Sequence, residues 1–289
     1  MFTSIKQADA AADARTEVLS LDPKTAQAIA PLLTRVLILE PAAASARLLG
    51  DLLQNVGTGR CWTAATTDQA LRLAEAIDPQ LVFTEFAGDA VDGVLFTHRL
   101  RRGDLGCRKA PVIMITAQAL PANILAARDC GVHEFLRKPF AMKDLVRRLE
   151  AVAVRPRSWV EGVAYVGPDR RRFNSGDYRG ARRRRADAAT DPVEARIVQA
   201  LKIVAAALAA VELDRHQAFR ALKAQAVELQ NAGALVRRAA LVSAAHGLQN
   251  RLTIVGSPDR LTREAIEMDA LALLSYLPDE ARATARSAA

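Results

Sequence analysis

The chain has 289 residues, 51% of them hydrophobic, and a formal charge of +8, which is enough for about two domains, each with its own core. Its longest apolar runs, such as Ile203 to Val211, are diluted by alanine and fall far short of the roughly 20 residues that span a bilayer, so a membrane helix is excluded. Cys61, Cys107 and Cys130 are odd in number and lack metal-ligand spacing, and the N-terminus has no basic start followed by an apolar core, so reduced thiols, no export signal and a cytoplasmic location are expected.

Residues 1–33 are polar and rich in alanine, with a short helical pattern near Thr25 to Leu33, and read as a loose arm. From Arg35 the texture changes. "RVLIL" (35–39) is a short apolar run, and the following "EPAAASARLLGDLLQNVG" places Ala46, Leu49, Leu52 and Leu53 at helical spacing and stops at Gly57. The strand-then-helix pattern repeats in "CWTAAT" with "TDQALRLAEAI", "LVFTEF" with "GVLFTHRLRR", "VIMITA" with "PANILAARDCG", and "EFLRKPF" with "AMKDLVRRLEAVAV". Strands apolar on both faces and alternating with helices predict an α/β fold, a five-stranded parallel doubly wound sheet covered by helices on both sides. In such sheets chemistry gathers at the carboxyl ends of the strands, where Glu40, Glu85, Thr116 and Lys138 fall.

"RVLILEP", "LVFTEFAGDAVDG", "APVIMITA" and "GVHEFLRKPF" follow one another in the order and spacing of the response regulator receiver family, which residues 34–153 resemble. The resemblance implies an Asp at the end of the third strand that accepts phosphate, a divalent metal held by that Asp and two acids after the first strand, and a hydroxyl and a lysine that meet the phosphoryl oxygens. Thr116 and Lys138 match those last two positions, and Phe135 matches an aromatic used in switching or simply packed. The metal side departs from the pattern. Glu40 holds the first acidic position, Pro41 the second and Glu85 the phosphoacceptor position. Pro41 has no ligand atom, and an octahedral Mg²⁺ tolerates little displacement of the others. The extra methylene of Glu85 carries its oxygen about 1.5 Å too far, and misplacement on that scale can cost about 100-fold in rate. A pseudo-receiver with no catalytic residue, no metal and no cofactor is therefore expected. Glu85 either reaches toward Thr116 and Lys138 as a stand-in for a phosphoryl group or forms a structural ion pair with Lys138. His98 and His133, lacking acidic or thiol partners in sequence, read as ordinary surface histidines.

Residues 154–190 form an Arg-rich connector. Between Arg155 and Arg185 stand ten arginines against Glu161, Asp169 and Asp177, and Tyr-x-Gly-x-x-Arg-Arg-Arg occurs twice, from Tyr165 and from Tyr178. Each copy presents guanidinium groups after an aromatic ring: Arg170, Arg171 and Arg172 in the first, Arg182, Arg183, Arg184 and Arg185 in the second. Arginine forks suit phosphate oxygens, and Arg and Tyr stack on bases, so cyclic di-GMP or a nucleic acid is one candidate ligand. A solvated linker, or a docking strip for an acidic protein surface, is the other reading.

Residues 191–289 carry a helical pattern. Val193, Ile197, Leu201, Val204, Leu208 and Val211 form an apolar stripe that continues through Leu222 and Leu229 to a stop at Asn231-Ala232-Gly233. A second helix is expected over 234–253 and a third from a Ser257 cap with Pro258 in its first turn. Three such helices predict an all-α interaction domain that bundles or pairs with a second copy. "AAHGLQNRLTIVG" resembles the phosphoaccepting helix of histidine kinases at His246, Asn250 and Thr253, but Gly247 stands where that helix has an acid. The leading expectation is a non-enzymatic signalling adaptor with a protein partner and a homo-oligomeric C-terminal region. The alternatives are an effector that binds an anionic ligand through the connector, and a phosphorelay component using His246.

Overall fold

The structure is a computed structural model that describes residues 22–170 and 191–278. Arg171, Arg172, Tyr178 and Arg182 to Arg185 therefore lie outside the described residues. The described residues group into two compact units. One holds the described residues up to Phe96 with Leu105–Ala127 and Val132–Arg157, and the other holds Thr97–Asp104, Arg128–Gly131 and the described residues from Ser158 onward. Among the described residues no helix is long and apolar enough to cross a membrane.

The first unit is built on five parallel strands, β1 (Arg35–Leu39), β2 (Arg60–Ala64), β3 (Leu81–Glu85), β6 (Val112–Thr116) and β7 (Glu134–Arg137), in the order β2-β1-β3-β6-β7. Such an order reverses direction at β1 and β3, so the crevice at their carboxyl ends is a ready binding place. β1, β3 and β6 are buried almost throughout, which is why their sequences are continuous apolar runs. Helix α2 (Ala43–Val56) ends at Gly57, whose φ of +106° is the left-handed conformation that closes a helix cheaply only with glycine. Thr66 caps α3 (Thr67–Ile77) by accepting from the Gln69 N–H. Helices α4 (Gly93–Arg102), α5 (Pro121–Cys130) and α6 (Met142–Val154) follow β3, β6 and β7.

Two local features differ from the sequence expectation. The stretch expected as part of a loose arm is ordered from Asp22: α1 (Pro23–Ile29) and a 3-10 turn (Ala30–Leu33) bury Ile29 and Leu33 against Leu145, Leu149 and Val152. A short antiparallel pair, β4 (Ala87–Gly88) and β5 (Val91–Asp92), also folds the loop after Glu85 back on itself.

Among the described residues from Pro192 onward there are four α-helices rather than three: α7 (Pro192–Ala209), α8 (Arg215–Leu235), α9 (Ala239–Val255) and α10 (Arg263–Leu274). The expected first helix divides because Asp214 accepts from the Gln217 N–H and starts α8 afresh. Gly233 does not stop that helix. It is buried within α8 where a Cβ would stand 3.0 Å from Val242, and the turn comes later, at Arg237 with its φ of +55°. The last helix starts at Arg263 under a Thr262 cap, and Pro258 instead opens a 3-10 turn. Each helix packs on the next and α10 returns to α7, closing a bundle. The α7 stripe is thereby covered inside the chain: Ile197, Leu201, Val204, Leu208 and Val211 are buried with residues of α8, α9 and α10. The motive for pairing with a second copy is met within one chain.

The connector begins with an antiparallel pair that the sequence did not announce, β8 (Trp159–Glu161) and β9 (Val166–Pro168). Glu161 is its anchor. Its buried carboxylate accepts from Trp159 Nε1 at 2.9 Å and from Gln217 Nε2 at 2.9 Å, and its carbonyl accepts from Gln225 Nε2 at 3.0 Å. Glu161→Ala leaves the indole and part of the Gln217 amide without an acceptor, so the second unit is expected to lose about 1–3 kcal/mol. Urea unfolding monitored by amide exchange in α8 measures that loss.

Candidate functional site

The carboxyl ends of β1, β3, β6 and β7 bring Glu40, Glu85, Thr116 and Lys138 together. Lys138 Nζ donates to Glu40 Oε2 at 2.7 Å and to Glu85 Oε2 at 2.5 Å. The other oxygen of each carboxylate is held by main chain: Glu40 Oε1 accepts from the Ala42 N–H and Glu85 Oε1 from the Phe86 N–H, both at 3.1 Å. Both acids are almost wholly shielded, at 9% and 11% side-chain exposure, while Lys138 keeps 27%. Burial alone would lower the Lys138 pKa, but the hydrogen bonds and charges of Glu40 and Glu85 outweigh it, and the ammonium titrates above the ordinary lysine value.

The backbone around the site explains these positions. Lys138 N–H donates to the Thr116 carbonyl at 2.8 Å, which fixes the end of β7 beside β6, and the Lys138–Pro139 peptide is cis. Gly93 closes the loop after Glu85, its N–H donating to the Phe86 carbonyl at 3.0 Å. A Cβ there would stand 2.1 Å from the Glu85 carbonyl oxygen and 2.7 Å from Thr84 Oγ1, so only glycine fits. Pro41 sits beside this loop, and a Cβ on Gly88 would approach its Cγ to 3.1 Å.

Of the two sequence readings of Glu85, the geometry supplies the contact to Lys138 and not the one to Thr116. The Thr116 hydroxyl is buried and accepts from the Gln118 N–H at 3.1 Å, with no hydrogen bond to Glu85 among the described residues. Phe135 is buried at 4% exposure and points into the protein. Sequence reasoning missed the part of Glu40 in the bridge, although an acid at the ends of two adjacent strands was a usable signal. A divalent metal, which the family pattern implies, does not fit this donor set. Pro41 offers no ligand atom, and the Lys138 ammonium already stands against both carboxylates. Among the described residues no group of three or more His, Cys, Asp or Glu is placed to hold a metal ion.

A family model for the response regulator receiver domain matches residues 36–150. These residues are a receiver domain. The chain is 30% identical over 92 residues to the phosphate regulon transcriptional regulatory protein PhoB of Pseudomonas aeruginosa, a match covering 32% of this chain and 40% of that protein. It is 29% identical over 105 residues to a probable chemotaxis protein CheY of Rhizobium etli, covering 36% of this chain and 81% of that protein. Among solved structures, the chemotaxis protein CheY4 of Vibrio cholerae aligns over 42% of this chain and 98% of its own length, with 22% identity and a TM-score of 0.39. The chain thus spans less than half of the PhoB relative.

The other sequence candidates are placed as follows. Tyr165 is buried and its hydroxyl donates to the Pro168 carbonyl at 2.6 Å. The Arg170 guanidinium lies 4.4 Å over the Tyr165 ring and pairs with Asp129 at 3.0 Å. The two described members of the expected anion-binding set, Tyr165 and Arg170, are therefore engaged within the chain. His246 is exposed on α9, which runs unbroken past Asn250 and Thr253, and Thr253 Oγ1 donates to the Gln249 carbonyl at 2.9 Å. His98 is exposed, whereas His133 is half-buried with Nδ1 accepting from the Val112 N–H at 3.2 Å.

Proposed function

We propose that the protein is a non-enzymatic signalling adaptor whose receiver domain takes up no phosphate at Glu85 and which acts through contact with protein partners. The observation that carries this reading is the Glu40–Lys138–Glu85 bridge. In a phosphorylatable site the lysine waits for a phosphoryl oxygen and the acids gather a metal. Here the lysine neutralises the acids directly, and Pro41 leaves the metal one ligand short. The ammonium thus supplies, as a fixed part of the chain, the charge balance that a metal would otherwise bring, and the domain is held in one state rather than switched.

The test is incubation of the full chain with acetyl phosphate and Mg²⁺, followed by intact-protein mass spectrometry. The expected result is no phosphoryl adduct. A stoichiometric adduct mapped to Glu85 would overturn the reading, and an adduct on His246 would move the protein to the phosphorelay class.

A further inference from the structure

The two edges of the receiver sheet are treated differently. At the β7 edge, Arg157 donates to the His133 carbonyl and lies within 4.0 Å of Glu134, whose carboxylate also pairs with Arg148 at 3.2 Å. A side chain thus covers the main chain where that strand begins. Among the described residues β2, the opposite edge strand, pairs only with β1. Arg60 N–H donates to the Thr34 carbonyl and the Ala64 carbonyl accepts from the Glu40 N–H, so Arg60, Trp62 and Ala64 turn their main-chain groups inward. By alternation, Cys61 and Thr63 turn theirs outward. Among the described residues no side chain hydrogen-bonds to those outward groups. An uncovered edge is a template for another strand, and sequences commonly blunt or cover it.

Beside the edge lies a groove of about 580 Å³ lined by Arg35, Gly59, Arg60, Trp62, Ala76 and Ile77. Its chemistry is specific. Trp62 is half-buried and faces the apolar end of α3. Arg35 is tied to Asp78, its Nε donating to the Asp78 carbonyl at 2.9 Å and its terminal nitrogen pairing with the carboxylate at 3.4 Å. Arg60 is exposed and has no acidic partner among the described residues. Cys61 is no reactive thiol that would account for the exposure, because burial pushes its pKa up.

We infer that the free edge of β2 is a docking edge for an extended segment of a partner protein that carries an acid and, two residues on, an apolar side chain. Its backbone extends the sheet by pairing with Cys61 and Thr63, which is the general mode of strand addition. Side chains on one face of a strand recur every second residue, so an acid opposite Arg60 brings the next same-face side chain against Trp62 and Ile77. This inference goes beyond the proposed function and does not depend on the state of Glu85.

The experiment uses the full chain and the blocked peptide Thr-Asp-Thr-Val-Thr-Val-Thr, followed by amide NMR shifts and hydrogen exchange. Saturable binding with new protection at Cys61 and Thr63 is expected. Arg60→Glu should weaken it at least tenfold. Thr63→Pro should abolish it while leaving the circular dichroism melt in place, since proline at an outward edge position removes no existing ladder bond. If Thr63→Pro fails to fold, the Arg60→Glu loss and the Cys61 and Thr63 protection decide the matter by themselves. Absence of saturation, binding indifferent to Arg60→Glu, or protection appearing only as the chain pairs with a second copy of itself would each overturn the inference.

Discussion

Lys138→Met should destabilise the receiver domain by about 2–4 kcal/mol at neutral pH. Removing one member of a buried charge group typically costs about 3–5 kcal/mol because the remaining charge is left without a partner. Lys138 retains some exposure, at 27% of its side chain, which lowers the expectation, but Glu40 and Glu85 are both shielded and would face each other without a cation. Urea unfolding followed by amide exchange in β1 and β3 gives the value. Adding Glu40→Gln and Glu85→Gln to Lys138→Met should recover most of the loss, since neutral amides need no ammonium. A loss under about 0.5 kcal/mol would mean that the bridge behaves as an ordinary surface pair. The pH dependence has a definite sign. Lys138 binds its proton more tightly in the folded state, so its contribution is complete below the unfolded lysine value of about 10.4 and is lost as pH rises through the higher folded value. Wild type and Lys138→Met should therefore converge in alkali.

Pro41→Asp combined with Glu85→Asp should convert the site into one that takes up phosphate from acetyl phosphate in the presence of Mg²⁺, whereas neither change alone does so. Glu85→Asp withdraws the carboxylate by about one C–C bond, roughly 1.5 Å, which restores the reacting position and takes the oxygen away from Lys138. Pro41→Asp supplies the missing oxygen ligand beside Glu40. Each single variant keeps one defect, and each defect suffices: a site with the nucleophile but a ligand short, or with ligands but a misplaced nucleophile, should remain at least about 100-fold slower than the double variant. Intact mass over a time course separates the cases. Equal uptake by Glu85→Asp alone would show that Pro41 is no obstacle.

How much of this was legible before the structure follows from the range of the interactions. The sheet could be read because β1, β3 and β6 are buried on both faces, and burial leaves a continuous apolar run such as "RVLIL" that no solvent-facing segment carries. Glu40, Glu85, Thr116 and Lys138 could be placed at strand ends for the same reason. The Glu85–Lys138 half of the bridge was one of two sequence readings, and the Glu40 half was missed, because which carboxylates Lys138 meets rests on side-chain reach across β1, β3 and β7. The helix count failed where local signals conflicted with packing: Gly233 looked like a stop but serves as a small residue under Val242, and the break at Asp214 is a cap in a stretch whose apolar spacing continues through it. The β8–β9 pair was hidden because its anchor, Glu161, is a charged residue made burial-competent by Trp159, Gln217 and Gln225. Gln217 and Gln225 lie 56 and 64 residues further along the chain, at no spacing that marks either as a partner.

The claim that the Lys138 ammonium takes the place of a metal is tested most directly by titrating the wild-type full chain with MgCl₂ while following the amide resonances of Glu40, Glu85 and Phe86 at constant ionic strength. The prediction is that these resonances show no saturable shift at millimolar Mg²⁺, while the same titration of the Pro41→Asp, Glu85→Asp double variant saturates. A saturable shift of Glu40 and Glu85 in the wild type, with release of Lys138 from the two carboxylates, would contradict it.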